Sequence, residues 1–107
     1  MADQETDLQQ RLLAAIREAV QRQATEIAAL PEWRRPTPND RNWRRALQAD
    51  GWIQYEPSRW LALRPGGLRN QLVAACDELA RRNQIERIVS NGRTRFIRLT
   101  SSFKEVE

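Results

Sequence analysis

The chain has 107 residues, of which 40% are apolar and 30% are charged. This length accommodates one domain, or one domain with an appendage, and the composition is that of a globular rather than a disordered chain. The formal net charge is +4, histidine is absent and Cys76 is the only cysteine. No disulfide can therefore form within the chain, and a reducing, cytoplasmic setting is expected.

The positive charge is distributed unevenly along the chain. Residues 1–30 hold three arginines against five acidic residues, a net of −2, whereas residues 31–69 hold eight arginines against four acids, a net of +4. Residues 70–107 hold seven basic residues against five acids, a net of +2. Seventeen of the eighteen basic residues are arginine, which suits phosphate groups and guanine edges, although codon bias would produce the same preference. The pattern predicts an acidic or neutral arm joined to a basic body.

The first predicted helix runs from a cap at Thr6 to about Ala29, because Pro31 disfavours helical geometry at the preceding residue. Apolar residues recur along one side of it: Leu8, Leu12, Leu13, Ile16, Val20, Ile27 and Leu30. This stripe fits packing against its own domain. It also fits a short coiled-coil seam with one polar position, Gln23, so a homodimer through residues 1–30 is the alternative. The polar N-terminus is not a signal peptide, and no apolar run reaches the length of a membrane span.

Residues 31–39 are rich in proline and predict a linker or an extended turn. Thr37 followed by Pro38 predicts the start of a second helix, which Gly51 ends in a left-handed conformation. The buried edge of this helix is predicted to consist of Trp43, Ala46 and Leu47.

Two short strands, residues 52–55 and 60–63, are predicted to pair as a hairpin. A helical turn capped by Ser58 is the rival interpretation. Three tryptophans, Trp43, Trp52 and Trp60, are expected in the core beneath this hairpin, whereas Trp33 is expected to be exposed.

A third helix is predicted from residue 68 to about residue 83. Its inner face consists of Leu68, Leu72, Ala75, Cys76 and Leu79. Residues 85–89 and 94–99 then form a hairpin across Asn91-Gly92, the strongest short hairpin signal. The polar segment 101–107 is expected to fray.

Residues 77–100 resemble the end of the recognition helix and the wing of MarR-type winged-helix regulators. That pattern runs Asp-x-Leu-x-x-x-Gly-(apolar)-Ile-x-Arg, then Asp-x-Arg at the wing tip and a closing Leu-Thr. The matching residues are Asp77, Leu79, Ile85, Arg87, Leu99 and Thr100. Asn83 stands at the glycine position, where asparagine also tolerates left-handed backbone. Gln84 replaces an apolar residue, and Asn91-Gly92-Arg93 replaces Asp-x-Arg.

The resemblance covers about a quarter of the chain and implies a fold of the α+β class. We expect a winged helix-turn-helix-like domain over residues 31–100, with three main helices and two β-hairpins. The resemblance does not reach the family's ligand pocket, so no small-molecule substrate is implied. It maps the wing arginine to Arg93 and the base-reading positions to Arg69 and Asn70, with Val73 or Ala74 beyond them.

Physical reasoning from the residues supports part of this mapping. Arg69 and Asn70 lie at a helix N-terminus, where phosphate is favoured, although a solvated helix face would look the same. Arg93 and Arg95 flank a turn that could enter a minor groove. The alternative for these two is a charged edge strand that blocks aggregation.

A second basic cluster precedes and enters the second helix: Arg34, Arg35, Arg41, Arg44 and Arg45. Arg41 and Arg45 are one turn apart on that helix, where like charges repel by roughly 0.2–0.5 kcal/mol, so an anionic partner is expected. Residues 37–63 also resemble the terminal winged helix of some phage and plasmid primase-helicases. The matching residues are Trp43, Ala46, Leu47, Gly51, Arg59 and Trp60.

No enzymatic chemistry is predicted. Histidine, the commonest general base and metal ligand, is absent, and there is no glycine-rich phosphate loop. We therefore expect no catalytic residue, no metal and no cofactor.

The predicted function is nucleic-acid binding, most of all to duplex DNA, as a small transcriptional regulator or an accessory factor of a mobile element. The arginines are expected to converge on one side of the domain. A protein–protein interaction module on the same scaffold is one alternative. Single-stranded nucleic-acid binding through Trp33 and Trp60 is another.

Overall fold

The structure is a computed structural model that describes residues 2–64 and 66–100. The helices of this part of the chain are α1 (Ala2–Ala29), α2 (Trp43–Ala49), α3 (Pro57–Trp60) and α4 (Arg69–Arg81), with a 3-10 turn at Glu32–Arg34. The strands are β1 (Ile53–Gln54), β2 (Ile85–Ser90) and β3 (Arg93–Leu99), which form an antiparallel sheet in the order β1-β3-β2. The predicted α+β class is confirmed. The tail 101–107, which was expected to fray, lies outside the described residues.

The core lies between α1, α4 and one face of the sheet. Its buried apolar residues are Leu8, Leu12, Ile16, Ile53, Leu72, Ala75, Cys76, Leu79, Ile85 and Ile97. Three of them come from α1, so the first half of the predicted stripe packs against its own domain. Burying an aliphatic side chain of this size stabilises a fold by about 1.5–3 kcal/mol, which makes α1 a part of the core.

The final hairpin is confirmed. Asn91 (φ 52°) and Gly92 (φ 74°) both adopt the left-handed conformation that a two-residue turn of this kind needs. The strands pair from Ile85↔Leu99 to Ser90↔Arg93, with one irregularity next to Val89. Left-handed backbone at Asn83 (φ 60°), which lies in the connection between α4 and β2, is confirmed as well.

The helix starts were predicted less well. α1 already includes Thr6, so the predicted cap there is wrong. The predicted cap at Thr37 is also wrong, because residues 37–40 form a β-turn closed by a 3.0 Å bond from the backbone N–H of Asp40 to the carbonyl of Thr37. Proline in the second position favours such a turn. Asn42 caps α2 instead, its Oδ1 accepting from the N–H of Arg44 at 3.0 Å.

The predicted hairpin across residues 52–63 is wrong. β1 pairs with β3 through Ile53↔Ile97, and Pro57, which has no N–H to give to a strand ladder, opens α3. The rival interpretation of a helical turn is closer, although Glu56 and not Ser58 occupies the cap position. The sheet therefore contains one hairpin and one short edge strand rather than two hairpins.

Two residues expected inside the domain are exposed. Trp43 is 58% exposed and packs edge-on against Phe96, with ring centroids 5.6 Å apart. Leu68 is 41% exposed because it precedes the first turn of α4 in left-handed conformation (φ 55°). Exposure of Trp33 is confirmed at 83%. No helix in the described part of the chain has the length and apolar content to span a bilayer.

Candidate nucleic-acid interface

A groove of about 890 Å³ runs between α4 and the β2–β3 hairpin. α4 contributes residues spaced by four, which lie on one helix face, and the hairpin contributes residues of both strands and of the turn. The side chains that give the groove its chemistry are Arg69, Val73, Asp77, Arg87, Val89 and Arg93. The groove therefore combines arginine side chains with the apolar side chains of Val73 and Val89.

Arg69 and Arg93 bring two guanidinium groups to this groove from distant positions in the chain. Arg69 is the first residue of α4, and Arg93 follows the Asn91-Gly92 turn at the tip of the hairpin. Both are exposed, and neither forms an ion pair within the described residues. No side chain caps α4, so the partial positive charge of its N-terminus adds to that of Arg69.

The floor of the groove holds an ion pair between the two elements. Arg87 on β2 donates from Nη1 to Oδ1 of Asp77 on α4. Burial by itself lowers the pKa of the Arg87 guanidinium, but the hydrogen bond to Asp77 and the adjacent negative charge raise it above its ordinary value. This pair fixes the hairpin against α4 and neutralises the one acidic side chain among the charged residues of the groove.

Tyr55 and Cys76 lie beside this ion pair. Burial raises the pKa of the Tyr55 hydroxyl and that of the Cys76 thiol. Both groups are therefore neutral at physiological pH, and Cys76, which is 2% exposed, belongs to the core. Neither residue adds charge to the groove, whose net positive charge comes from its arginines.

Asn70 and Arg95 each follow in sequence a residue that lines the groove, Arg69 and Thr94 respectively. Asn70 is exposed on the first turn of α4, and Arg95 is exposed on β3, where its carbonyl accepts a 2.9 Å bond from the N–H of Tyr55. Asn70, Arg95, Arg69 and Arg93 are the predicted site residues that lie on α4 and on the hairpin.

Arg35 and Arg45 are engaged in internal contacts. Arg35 donates to the carbonyls of Leu30 and Ala28, both at 3.0 Å, and so satisfies the C-terminal end of α1. Arg45 donates from Nε to Asp40 at 2.8 Å and from Nη2 to the carbonyl of Arg34 at 3.0 Å. These two predicted phosphate ligands hold the segment between α1 and α2 in place.

Arg44 lies at a different surface, beside Trp52 and Phe96, and neither Arg34 nor Arg41 is among the described residues that line the groove. All three arginines are exposed, and Arg44 lies over the ring of Trp43. Trp43 contacts Phe96, and Phe96 points to the opposite face of the sheet from its buried neighbour Ile97, since side chains alternate along a strand. The expectation that all the arginines converge on one side is therefore wrong, because Arg44 lies at a different surface from Arg69 and Arg93.

The pairing of Asp77 with Arg87 at the floor of the groove was not predicted from the sequence. Both were matched to a fold pattern, which gave no reason to pair them. Asp77 lies on the exposed side of the predicted helix and Arg87 on the first strand of the hairpin. A helix packed on that strand would bring the two charges together, so the ion pair could have been predicted from these two positions.

Comparisons of the chain with protein-family models, with curated proteins and with solved structures find no match. A functional proposal for this chain therefore rests on the geometry of the groove and on its charges.

Proposed function

We propose that this protein binds duplex DNA in the groove between α4 and the β2–β3 hairpin, as a small transcriptional regulator or an accessory factor of a mobile element. The convergence of Arg69 and Arg93 on one groove carries the proposal. A helix and a hairpin with exposed arginines present cations at two points to a phosphate backbone, which supplies most of the affinity in nucleic-acid binding.

The architecture supports this assignment. The element order α2-β1-α3-α4-β2-β3 and the sheet order β1-β3-β2 are compatible with a winged helix-turn-helix, in which α4 would be the recognition helix and the hairpin the wing. α3 has only four residues, so the helix preceding α4 is short for such a domain. Asn70 lies beside Arg69 on the exposed side of α4, and asparagine pairs in bidentate fashion with adenine.

The experiment is a fluorescence-anisotropy titration of the full chain with a labelled random duplex, at about 50 and 200 mM salt. We expect the affinity to fall steeply with salt. Arg69→Ala and Arg93→Ala should each weaken binding and reduce the salt slope by about one unit, because each removes one phosphate contact. Arg22→Ala is the matched control, since this exposed arginine on α1 pairs with Glu18 away from the groove.

Two outcomes would overturn the proposal. One is wild-type protein that does not bind duplex at the lower salt concentration. The other is a loss of duplex affinity in Arg22→Ala equal to that in Arg69→Ala. Binding would then depend on the net charge of the protein and not on the groove.

A protein–protein interaction module is the second candidate, and exposed apolar side chains favour it. Val73 is 56% exposed and Val89 is 53% exposed, and both line the groove. In a DNA complex such side chains contact thymine methyl groups, whereas in a protein complex they would form the apolar centre of an interface. Val73→Ser should then abolish partner binding while Arg69→Ala has little effect, the reverse of the order expected for DNA.

A further inference from the structure

We infer that Trp33 and Trp43, whose segments are joined by the bond from Arg45 to the carbonyl of Arg34, form with Arg34, Arg41 and Arg44 a second surface, which binds single-stranded nucleic acid by stacking unpaired bases on the two indole rings. We call it the tryptophan surface. It goes beyond the duplex binding proposed above, because it lies outside the groove between α4 and the hairpin and takes a different form of nucleic acid.

The exposure of the two rings is the first observation. Trp33 is 83% exposed and Trp43 is 58% exposed, so neither contributes to folding what a buried indole of this size would contribute. Large exposed aromatic side chains indicate contact with a partner more often than isolated aliphatic ones do. Aromatic rings accept any base, because every base presents a π face.

The backbone that carries these rings is fixed by hydrogen bonds. Arg35 ties the segment after Trp33 to the end of α1 through two 3.0 Å bonds. Arg45 joins the carbonyl of Arg34 to α2, and it also binds Asp40. Trp43 itself rests edge-on against Phe96. A rigid platform loses little conformational entropy when a base stacks on it.

A guanidinium group lies next to each of the two rings. Arg34 lies 5.9 Å from the ring centroid of Trp33, and Arg44 lies 5.2 Å from that of Trp43. Within the described residues neither these arginines nor Arg41 forms an ion pair. Asp40 is already neutralised by Arg45. Indole rings next to guanidinium groups that lack an ion-pair partner are what single-stranded nucleic-acid sites combine.

The test is an anisotropy titration with a labelled oligothymidylate of about 20 nucleotides, which forms no duplex. We expect Trp33→Ala to weaken this binding by roughly 5- to 140-fold, the range of one lost base stack. Trp33→Phe should recover part of the loss, because phenylalanine also stacks. Trp33 is substituted first because Trp43 contacts Phe96, and its loss could affect folding. Trp43→Ala is interpreted only if its urea unfolding midpoint stays near that of the wild type.

The two surfaces are separated by the reciprocal measurement. Trp33→Ala should leave duplex affinity within about two-fold of the wild type, and Arg69→Ala should leave oligothymidylate affinity within the same margin. The inference is overturned if wild-type protein does not bind oligothymidylate at about 50 mM salt, or if Trp33→Ala binds it unchanged. It is also overturned if Trp33→Ala only dissociates a self-associated form, measured as mass by sedimentation, because the surface would then bind protein. Failure of duplex binding in the earlier experiment affects none of these outcomes.

Discussion

Gln23, in the second half of α1, donates a hydrogen bond from Nε2 to the backbone carbonyl of Trp52 at 2.8 Å. In the sequence this residue is the one polar position of a coiled-coil seam. In the structure it ties α1 to the chain just before β1, while Leu12 and Ile16 of the same stripe are fully buried in the domain core. The first part of the stripe therefore serves the fold of its own chain. A homodimer through residues 1–30 stays a prediction.

Gln23→Ala should lower the free energy of unfolding by about 1 kcal/mol, because it leaves the partly buried carbonyl of Trp52 without its donor. Urea denaturation followed by far-UV circular dichroism measures the change. Gln10→Ala is the matched control: Gln10 lies on the same helix and is exposed, so its removal should change stability by less than about 0.5 kcal/mol. Equal effects of the two substitutions would contradict the role assigned to the bond.

The N-cap of α2 can be tested by substituting the observed cap residue, Asn42, and the residue predicted from the sequence, Thr37. Asn42→Ala should destabilise the protein by about 1 kcal/mol, since its side chain accepts from the N–H of both Arg44 and Arg45. Thr37→Ala should be close to neutral, because its side chain does not cap the helix. Both are read from urea midpoints. A larger effect at Thr37 than at Asn42 would mean that α2 begins where the sequence placed it.

Local signals in the sequence predicted the elements whose determinants are local. The final hairpin follows from Asn91-Gly92, and the inner face of α4 follows from the spacing of Leu72, Ala75, Cys76 and Leu79. β1 was mispredicted because its partner, Ile97 for Ile53, is more than forty residues away. Apolar residues 60–63 look like a strand, but they cover the core from α3 and the turn after it.

The candidate site was predictable to the same extent. Arg69 and Arg93 were identified from a helix start and a turn, and the structure places both in one groove. Arg35 and Arg45 could not be separated from them, because their acceptors are backbone carbonyls at the end of α1 and in the turn after it. The position of the last turn of a helix in the folded protein decides which backbone carbonyls lack a hydrogen-bond partner. The composition and spacing of the residues do not give this position.

Asp40 makes part of the stability dependent on pH. The hydrogen bond from Arg45 and the backbone N–H of Asn42 hold the pKa of the Asp40 carboxyl below its ordinary value of 3.8. A group with a lowered folded-state pKa stabilises the fold above its unfolded pKa, and this contribution is lost as the pH falls through the folded-state pKa.

We therefore expect the difference in urea midpoint between wild type and Asp40→Asn to be largest at neutral pH and to disappear in acid, below the folded-state pKa. Arg45→Gln removes the main hydrogen-bond donor to Asp40. In a chain that keeps Asp40, this substitution should make the loss of stability in acid smaller. A difference that stays constant from neutral pH to strong acid would show that the ionised form of Asp40 is not favoured by folding.

Asp77 sets the charge of the proposed DNA groove, and its removal should strengthen binding. Asp77→Asn leaves an acceptor for Arg87 but removes the negative charge that neutralises it, so three cationic groups instead of two would act on the phosphates. Duplex affinity should rise severalfold, and the salt slope should steepen by about one unit if Arg87 gains a phosphate contact. Glu18→Gln is a matched control, because it frees Arg22 in the same way on the distant α1. An equal gain in affinity from Glu18→Gln would show that the effect comes from net charge. A loss of affinity in Asp77→Asn would show instead that Asp77 itself contacts a base, as carboxylates do with cytosine.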